Sequence, residues 1–165
     1  MDLSYTLFDT QPTGTAVFDA VLFQVAQGAD ATHTEDFTNM RGAGSLPSSE
    51  KFVCEHVGVA FSPAVAAADI AAIAVASLLQ LRLYDQVVLY IPLVFAFYKS
   101  GYSGFNNLAA GAGLQATGIY EQGYKLDKPI EIPGGAKFAA RVKTTVATAA
   151  STKLLVSLTG TLSLP

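Results

Sequence analysis

The residues best suited to chemistry are Cys54 and His56, which stand two positions apart in a predicted strand and would share one of its faces. A thiolate and an imidazole can bind zinc, and they can also act as a nucleophile and its base. A zinc site needs three or four ligands, however, and the one other histidine, His33, falls in a long loop. The chain also has no Gly-x-Ser-x-Gly elbow to expose a serine nucleophile. We therefore interpret Cys54 as a packed, inert side chain and predict no metal site.

Two further patterns could support catalysis or phosphate binding. Glu35 and Asp36 are adjacent carboxylates, but adjacent acids in a loop are more often solvated than paired as a general acid and base. The stretch 101–113 is rich in glycine, yet the Lys-Ser or Lys-Thr of a phosphate-binding loop does not follow it. The residues therefore predict a protein that is not an enzyme, with no catalytic residues and no cofactor.

Isolated charges within apolar strand faces are the next candidates. Asp19 and Glu55 each interrupt such a face. One interpretation is that both side chains lie at a strand end or edge and reach water. The other is that they form salt bridges across a subunit contact. The possible partners in that case are the basic residues Arg82, Arg141 and Lys143.

Aromatic residues gather in the middle of the chain, where six of the seven tyrosines fall between residues 84 and 124. Tyrosine is enriched both at sugar-binding surfaces and at subunit interfaces, so Tyr98, Tyr102, Phe105 and Asn106 fit either role. The absence of tryptophan weakens the carbohydrate interpretation. The predicted interface residues are therefore Asp19, Glu55, Arg82, Tyr98, Tyr102, Phe105, Arg141 and Lys143.

Composition limits the kind of protein that presents these residues. The chain has 165 residues, of which 51% are apolar, and its 10 Lys or Arg and 13 Asp or Glu make only 14% charged. A typical soluble domain is about 25% charged. A mean hydropathy of +0.38 argues against disorder, and no stretch approaches the about 20 apolar residues of a membrane helix. The remaining interpretation is a soluble single domain whose surface is partly covered by partners.

The positions of the charged residues and the single cysteine limit which kinds of partner are expected. No run of like charges exists, so nucleic acid is not an expected partner. With one cysteine, no disulfide can form within the chain. The N-terminus carries Asp2 and Asp9 where a secretory signal would be basic. Charge is scarcest in residues 52–120, where we expect the subunit contacts.

Hydrophobic periodicity predicts mostly strands. Apolar residues on both faces of 15–25 suggest a central strand that is covered on both sides. The alanine-rich stretch 64–76 predicts one short helix, and 27–49 and 98–116 read as long loops. Gly160 interrupts a regular alternation and predicts a bulge. The remaining predicted strands are 51–61, 78–84, 87–97, 128–132, 137–146 and 154–164.

These elements predict an all-β fold, an antiparallel β-sandwich of about eight strands with one short helix near 64–76 and long loops. Eight strands in two sheets suit the single jelly-roll type, although the periodicity fits other sandwiches equally well. We assign residues 1–14 to an N-terminal arm and residues 15–165 to a single jelly-roll domain.

Several segments together resemble the jelly-roll virion proteins of bacteriophages. Thr-Asn-Met at 38–40, Gly-Ser-Leu-Pro at 44–47 and Phe-Val at 52–53 are similar to the segment that leads into the first long strands of those proteins. Pro-Ile-Glu-Ile-Pro-Gly-Gly-Ala-Lys-Phe at 129–138 is similar to the hairpin before their last two long strands. The resemblance covers residues 38–165.

The resemblance implies a non-enzymatic virion structural protein that assembles on or in a phage capsid and stabilises it. A decoration, or cement, protein is favoured over a penton or major capsid protein. The implied partners are further copies of the chain, in a trimer or pentamer, and other capsid proteins, with no membrane. The implied location is the virion, after synthesis in the host cytoplasm. The alternative is a carbohydrate-binding host-recognition module or adhesin whose ligand is a glycan.

Overall fold

The computed structural model describes residues 1–61, 67–98, 102–103, 115–116, 123–147 and 152–165. Ten strands and two short helices lie within these ranges. In chain order they are β1 Asp2–Gly14, β2 Asp19–Leu22, β3 Lys51–Phe61, α1 Ala67–Ala76, β4 Ser77–Leu83, β5 Gln86–Pro92, α2 Leu93–Tyr98, β6 Tyr102–Ser103, β7 Gln115–Ala116, β8 Tyr124–Pro133, β9 Phe138–Thr144 and β10 Thr152–Ser163.

Eight of the strands form two four-stranded antiparallel sheets. The first sheet has the order β1-β10-β3-β8, and the second has the order β2-β9-β4-β5. One hydrophobic core unites residues of both sheets, including Phe52 and Leu158 from the first and Leu79 and Val142 from the second. The prediction of an all-β antiparallel sandwich is therefore confirmed.

Residues 2–14, expected to belong to an arm, form the edge strand β1. It pairs with β10 from Asp2↔Ser163 to Gly14↔Thr152, and it buries Leu7 and Asp9. The alternation of Leu3, Tyr5 and Leu7 suits a strand with one covered face, and its partner is supplied by the far end of the chain.

The strand predicted over 15–25 is shorter than expected and lies at an edge. Only Asp19–Leu22 pairs, and it pairs with β9 alone among the described strands. Phe23 ends the strand because it adopts a φ of +67°. Val17 and Val21 are exposed, so the apolar residues of this segment do not mark a strand covered on both faces.

Strand β3 spans the predicted residues, but a bulge divides it into two parts. Thr159 and Gly160 of β10 pair with His56 and Cys54, which leaves Glu55 as the extra residue. The bulge predicted at Gly160 is therefore present, and the inserted residue lies on the opposite strand. The insertion shifts the alternation by one, so Phe52 and Cys54 are buried before it and Val57 after it. An uninterrupted period of two would place Val53 and Val57 on the same face, whereas the bulge places them on opposite faces.

The helical content differs from the prediction in one place. Helix α1 confirms the predicted helix, and it carries Asp69 in its first turn. The strand predicted over 87–97 instead ends at Pro92 and continues as α2. Proline cannot extend a central ladder, and the buried Leu93, Ala96 and Phe97 follow the spacing of one helix face. Helix α2 closes one end of the core, with the Phe97 ring 5.7 Å from that of Phe61.

Strands β4 and β5 are joined by a two-residue turn of Tyr84 and Asp85, whose φ angles are +49° and +65°. Positive φ at both positions is the geometry of a type I′ hairpin, which usually selects Asn-Gly or Asp-Gly. The sequence Tyr-Asp therefore did not indicate a type I′ turn. The boundary between the two strands was nevertheless predicted between residues 84 and 87.

The segments 44–47 and 129–138 meet at the opposite end of the sandwich. The Gly135 amide donates to the Leu46 carbonyl at 3.0 Å, and the Phe138 amide donates to the Gly44 carbonyl at 2.9 Å. A Cβ on Gly134 would lie 2.4 Å from the Glu50 carbonyl oxygen, so this close approach requires glycine. Strands β8 and β9, which belong to different sheets, are thereby joined around a fixed corner.

Candidate functional site

The outer face of the second sheet collects four of the predicted interface residues. Asp19 pairs across β2 and β9 with Lys143, and Arg82 on β4 lies opposite Ala139 on β9. Residues that alternate with the buried ones point away from the core, and on β9 the buried residues are Phe138, Ala140, Val142 and Thr144. Arg141 and Lys143 therefore lie on the outer face together with Asp19 and Arg82.

Asp19 and Arg141 form a bidentate ion pair within the chain. The Arg141 Nε donates to Asp19 Oδ1 at 2.6 Å, and Arg141 Nη2 donates to the second carboxylate oxygen. The hydrogen bond from Arg141 lowers the pKa of Asp19 below its usual 3.8 and the same bond raises the pKa of Arg141. The charge pair therefore forms within one chain, and both side chains remain partly open to solvent.

A groove of about 480 Å³ opens beside this ion pair. Its walls come from the outer face of the second sheet and from the corner formed by residues 43–44 and 137–139. The groove mixes two acids with three bases and small apolar side chains. It is lined by Asp19, Val21, Gln24, Ala43, Gly44, Arg82, Asp85, Lys137, Phe138, Ala139 and Arg141.

Arg82 is held at one end only. Its Nη2 donates to the Asp85 carbonyl at 3.0 Å, whereas its Nε has no hydrogen-bond partner among the described residues. This Nε is buried, so it is not open to a neighbouring molecule. The positive charges of Arg82 and Lys137 nevertheless lie in one groove, where they attract anionic groups. The groove is therefore suited to polar, anionic contacts rather than to burial of a large apolar ligand.

The other predicted interface residues do not join this face. Glu55 is the bulge residue of β3 in the first sheet, and the described part of the chain offers it no ion-pair partner. Of Tyr98 and Tyr102 only the backbone is described, in α2 and β6. Phe105 and Asn106 lie outside the described residues, so the proposed sugar-binding set is not placed.

Cys54 and His56 do not form a joint site. The Cys54 thiol is fully buried and donates to the His56 carbonyl at 3.5 Å. Burial raises the pKa of this thiol to about 12, so it stays protonated and unreactive near neutral pH. The bulge at Glu55 turns the imidazole of His56 away from the thiol. In the ranges that the structure describes, no three His, Cys, Asp or Glu residues lie close enough to hold a metal ion.

Sequence reasoning missed a polar cluster that fixes the loop 27–40. Buried Asp9 accepts hydrogen bonds from the amides of Phe23 at 2.5 Å and Thr10 at 3.0 Å. His33 places Nδ1 2.8 Å from Asp30 Oδ1 and Nε2 3.3 Å from the Gln11 amide nitrogen. Both imidazole nitrogens thus have a hydrogen-bond partner, and His33 ties the loop to β1 through Gln11.

Comparisons of the chain with protein-family models, with curated proteins and with solved structures find no match. Among the described helices, none has the length and apolar character needed to cross a membrane.

The ion pair on this face gives a direct test of its electrostatics. In Arg141→Gln the pKa of Asp19 is expected to rise towards 3.8, because its main hydrogen bond is lost. Lys143→Gln is the matched control and should give a smaller rise, since Lys143 acts only at a distance. The pair stabilises the fold above the unfolded pKa, and this contribution is lost as the pH falls through the lowered folded pKa. NMR titration of the Asp19 carboxyl measures both shifts, and equal shifts would contradict the geometry.

Proposed function

We propose that the chain is a single jelly roll and that it serves as a non-enzymatic structural protein of a phage virion. In this proposal it assembles with further copies of itself on a capsid and stabilises the particle, as a decoration protein does. The nested pairing of its strands carries the jelly-roll part of the proposal, and the resemblance of two segments to virion proteins carries the functional part.

The eight sheet strands pair from the outside of the chain inwards. The first pairs with the last, β1 with β10, and the second pairs with the seventh, β2 with β9. The third pairs with the sixth, β3 with β8, and the fourth pairs with the fifth, β4 with β5. A long hairpin of four nested pairs, rolled so that successive pairs fall in alternate sheets, is the jelly-roll arrangement. This order supports the jelly-roll type over other sandwiches.

A contact between two of the segments that resemble virion proteins also supports the jelly-roll assignment. The segments 44–47 and 129–138 each resemble a segment of the virion proteins, and they hydrogen-bond to each other through Leu46 and Gly135 and through Gly44 and Phe138. Both segments therefore serve one corner of the fold. Fold alone does not fix function, so the virion role rests on the resemblance together with the charge-poor surface.

The outer face of the second sheet is the proposed subunit contact. Its groove offers Arg82 and Lys137 beside the satisfied Asp19–Arg141 pair. Polar groups of this kind give an interface its specificity and register, and neighbouring apolar residues such as Val21 add buried area. In a trimer or pentamer, this face of one copy would contact a different surface of the next copy, because rings of this kind are built from head-to-tail contacts.

The oligomeric state tests this proposal. The purified chain is expected to sediment as a trimer or larger at micromolar concentration. Lys143→Glu should weaken that oligomer, because it reverses an exposed charge on the proposed contact. Lys125→Glu reverses an exposed charge on β8 of the first sheet and should leave the oligomer unchanged. A stable monomer, or equal effects of the two variants, would contradict the proposed contact.

The position in a particle tests the virion role itself. In an image reconstruction of the virion that carries this chain, we expect many copies arranged with the symmetry of the capsid. A few copies confined to a tail or fibre would support the alternative role in host recognition.

A further inference from the structure

The four edge strands of the two sheets differ in how they are protected from pairing with another chain. Strand β8 carries charges along its whole length, and it has a proline in its interior. Charged side chains and proline are the usual devices that prevent an edge from adding a foreign strand. The protecting residues are Lys125, Asp127, Lys128, Pro129 and Glu131.

Two other edges are occupied or short. Asn39 covers part of the free side of β1. Its backbone amide donates to the Phe8 carbonyl at 3.2 Å, and its side-chain Oδ1 accepts from the Phe8 amide at 2.8 Å. Strand β2 has four residues, and the chain turns away at Phe23. Neither edge offers a long unpaired ladder.

Strand β5 is the least protected of the four edges, because its one protecting feature is the bulge at Val88. Its seven residues, Gln86–Pro92, include no charged side chain, and its one proline stands at the end. Within the described residues β5 pairs with β4 alone, so alternate backbone N–H and C=O groups face outward. Val87, Val88 and Tyr90 are 49%, 41% and 56% exposed. The pairing with β4 skips Val88, which leaves two adjacent valines on the surface.

We propose that β5 is a strand-addition surface, and that its occupant is β5 of a second copy of this chain. The two strands pair antiparallel about a two-fold axis, so that the second sheets of both copies form one continuous sheet of eight strands. Backbone hydrogen bonds across the axis supply the affinity, as in other cases of strand addition.

Charge matching favours this occupant over strand β8 of another copy. A strand that pairs with β5 places its side chains directly beside uncharged ones, and β8 would bring four charged residues there. Another β5 brings none. In a register centred on Leu89, Tyr90 lies opposite the partner's Val88, and an aromatic residue beside a β-branched one is a favourable cross-strand pair.

The expected contact is small. Two seven-residue strands with their exposed side chains bury about 1,000 Å², the lower end for a specific interface. We therefore expect reversible association in the micromolar range. This two-fold contact uses the β5 edge of the second sheet, whereas the proposed trimer or pentamer contact uses the groove at Asp19, Arg82 and Arg141 on its outer face. It would join two such oligomers or, in their absence, two single chains.

The test follows the molecular mass of the full chain by sedimentation from low to high micromolar concentration. The wild type is expected to double its mass over this range. Val88→Lys places a like charge on each copy beside the axis and should raise the dissociation constant of the doubling at least about tenfold. Tyr90→Lys is a second variant with the same expectation. Both positions are exposed, so thermal unfolding is expected to stay close to that of the wild type.

Val75→Lys is the matched control, because Val75 is a 68% exposed valine that lies on helix α1 and not on the β5 edge. It should associate like the wild type. Amide exchange of Leu89 to Ile91 should slow with concentration in the wild type and in Val75→Lys only. A wild type that does not double, or a Val88→Lys variant that doubles equally well, would overturn the β5 contact. If the wild type doubled its mass but formed no trimer or larger ring, the result would instead count against the proposed function.

Discussion

Substituting alanine for Gly160 is expected to lower the free energy of unfolding by about 3–5 kcal/mol. A Cβ at this position would lie 1.9 Å from the carbonyl oxygen of Val53, which is backbone and cannot rotate away. The clash falls at the bulge that aligns β10 with β3. Relief requires β10, an inner strand of the first sheet, to move away from its neighbour. Denaturant unfolding followed by circular dichroism measures the loss.

Thr161→Ala is the control for this substitution. Thr161 is the next residue of β10, lies on the outer face and becomes the same residue type, so the change is expected to cost under about 1 kcal/mol. If Gly160→Ala unfolded at the same denaturant concentration as Thr161→Ala, the close approach of the two backbones at the bulge would be contradicted.

Removing the carboxylate of Asp9 is expected to destabilise the fold by about 2–4 kcal/mol. In Asp9→Ala the buried amides of Phe23 and Thr10 lose their acceptor, and an unsatisfied buried donor costs about 1–3 kcal/mol. The loop that begins at Phe23 should loosen with it. Amide exchange at Phe23 and Met40, compared with exchange in the distant β8, measures whether the loss begins in this loop.

Asp9→Asn separates the charge from the hydrogen bonds. Burial raises the pKa of Asp9 above 3.8 in the folded state, so the folded protein binds a proton more readily than the unfolded chain. The stability of the wild type relative to Asp9→Asn should therefore increase as the pH falls through the folded pKa, and it should level off below 3.8. A difference that does not change with pH would mean that Asp9 is not buried as an ionised group.

The strands with a regular period could be predicted because burial alone determines them. The alternation in β10 marks its inward face from Leu154 to Leu162, and the structure buries that face. Strand β3 was also located, but its faces were misassigned because the bulge at Glu55 depends on contacts with two neighbouring strands. Hydrophobic periodicity within one strand does not reveal a bulge that is produced by contacts with other strands.

The remaining differences have the same origin. Residues 2–14 form a strand because β10 is available as a partner, and α2 forms because Pro92 stops β5 and the core accepts Leu93 and Phe97. For the candidate site, the sequence indicates Arg141 as one possible partner of Asp19, whereas the formation of this pair within one chain follows from the register of β2 on β9. Asp9 gave no signal, since its role depends on the left-handed turn at Phe23.

The pairing of β1 with β10 has a consequence for the route by which the chain folds. The amino group of Met1 donates to the Leu164 carbonyl across 163 residues of sequence, so the first sheet has very high contact order. Until Thr152 to Ser163 take their place, β1 and β3 each lack the neighbour that lies between them. Folding is expected to be slow, and any form of the chain that stops before residue 152 would expose two apolar, unpaired edges to aggregation and to chaperones.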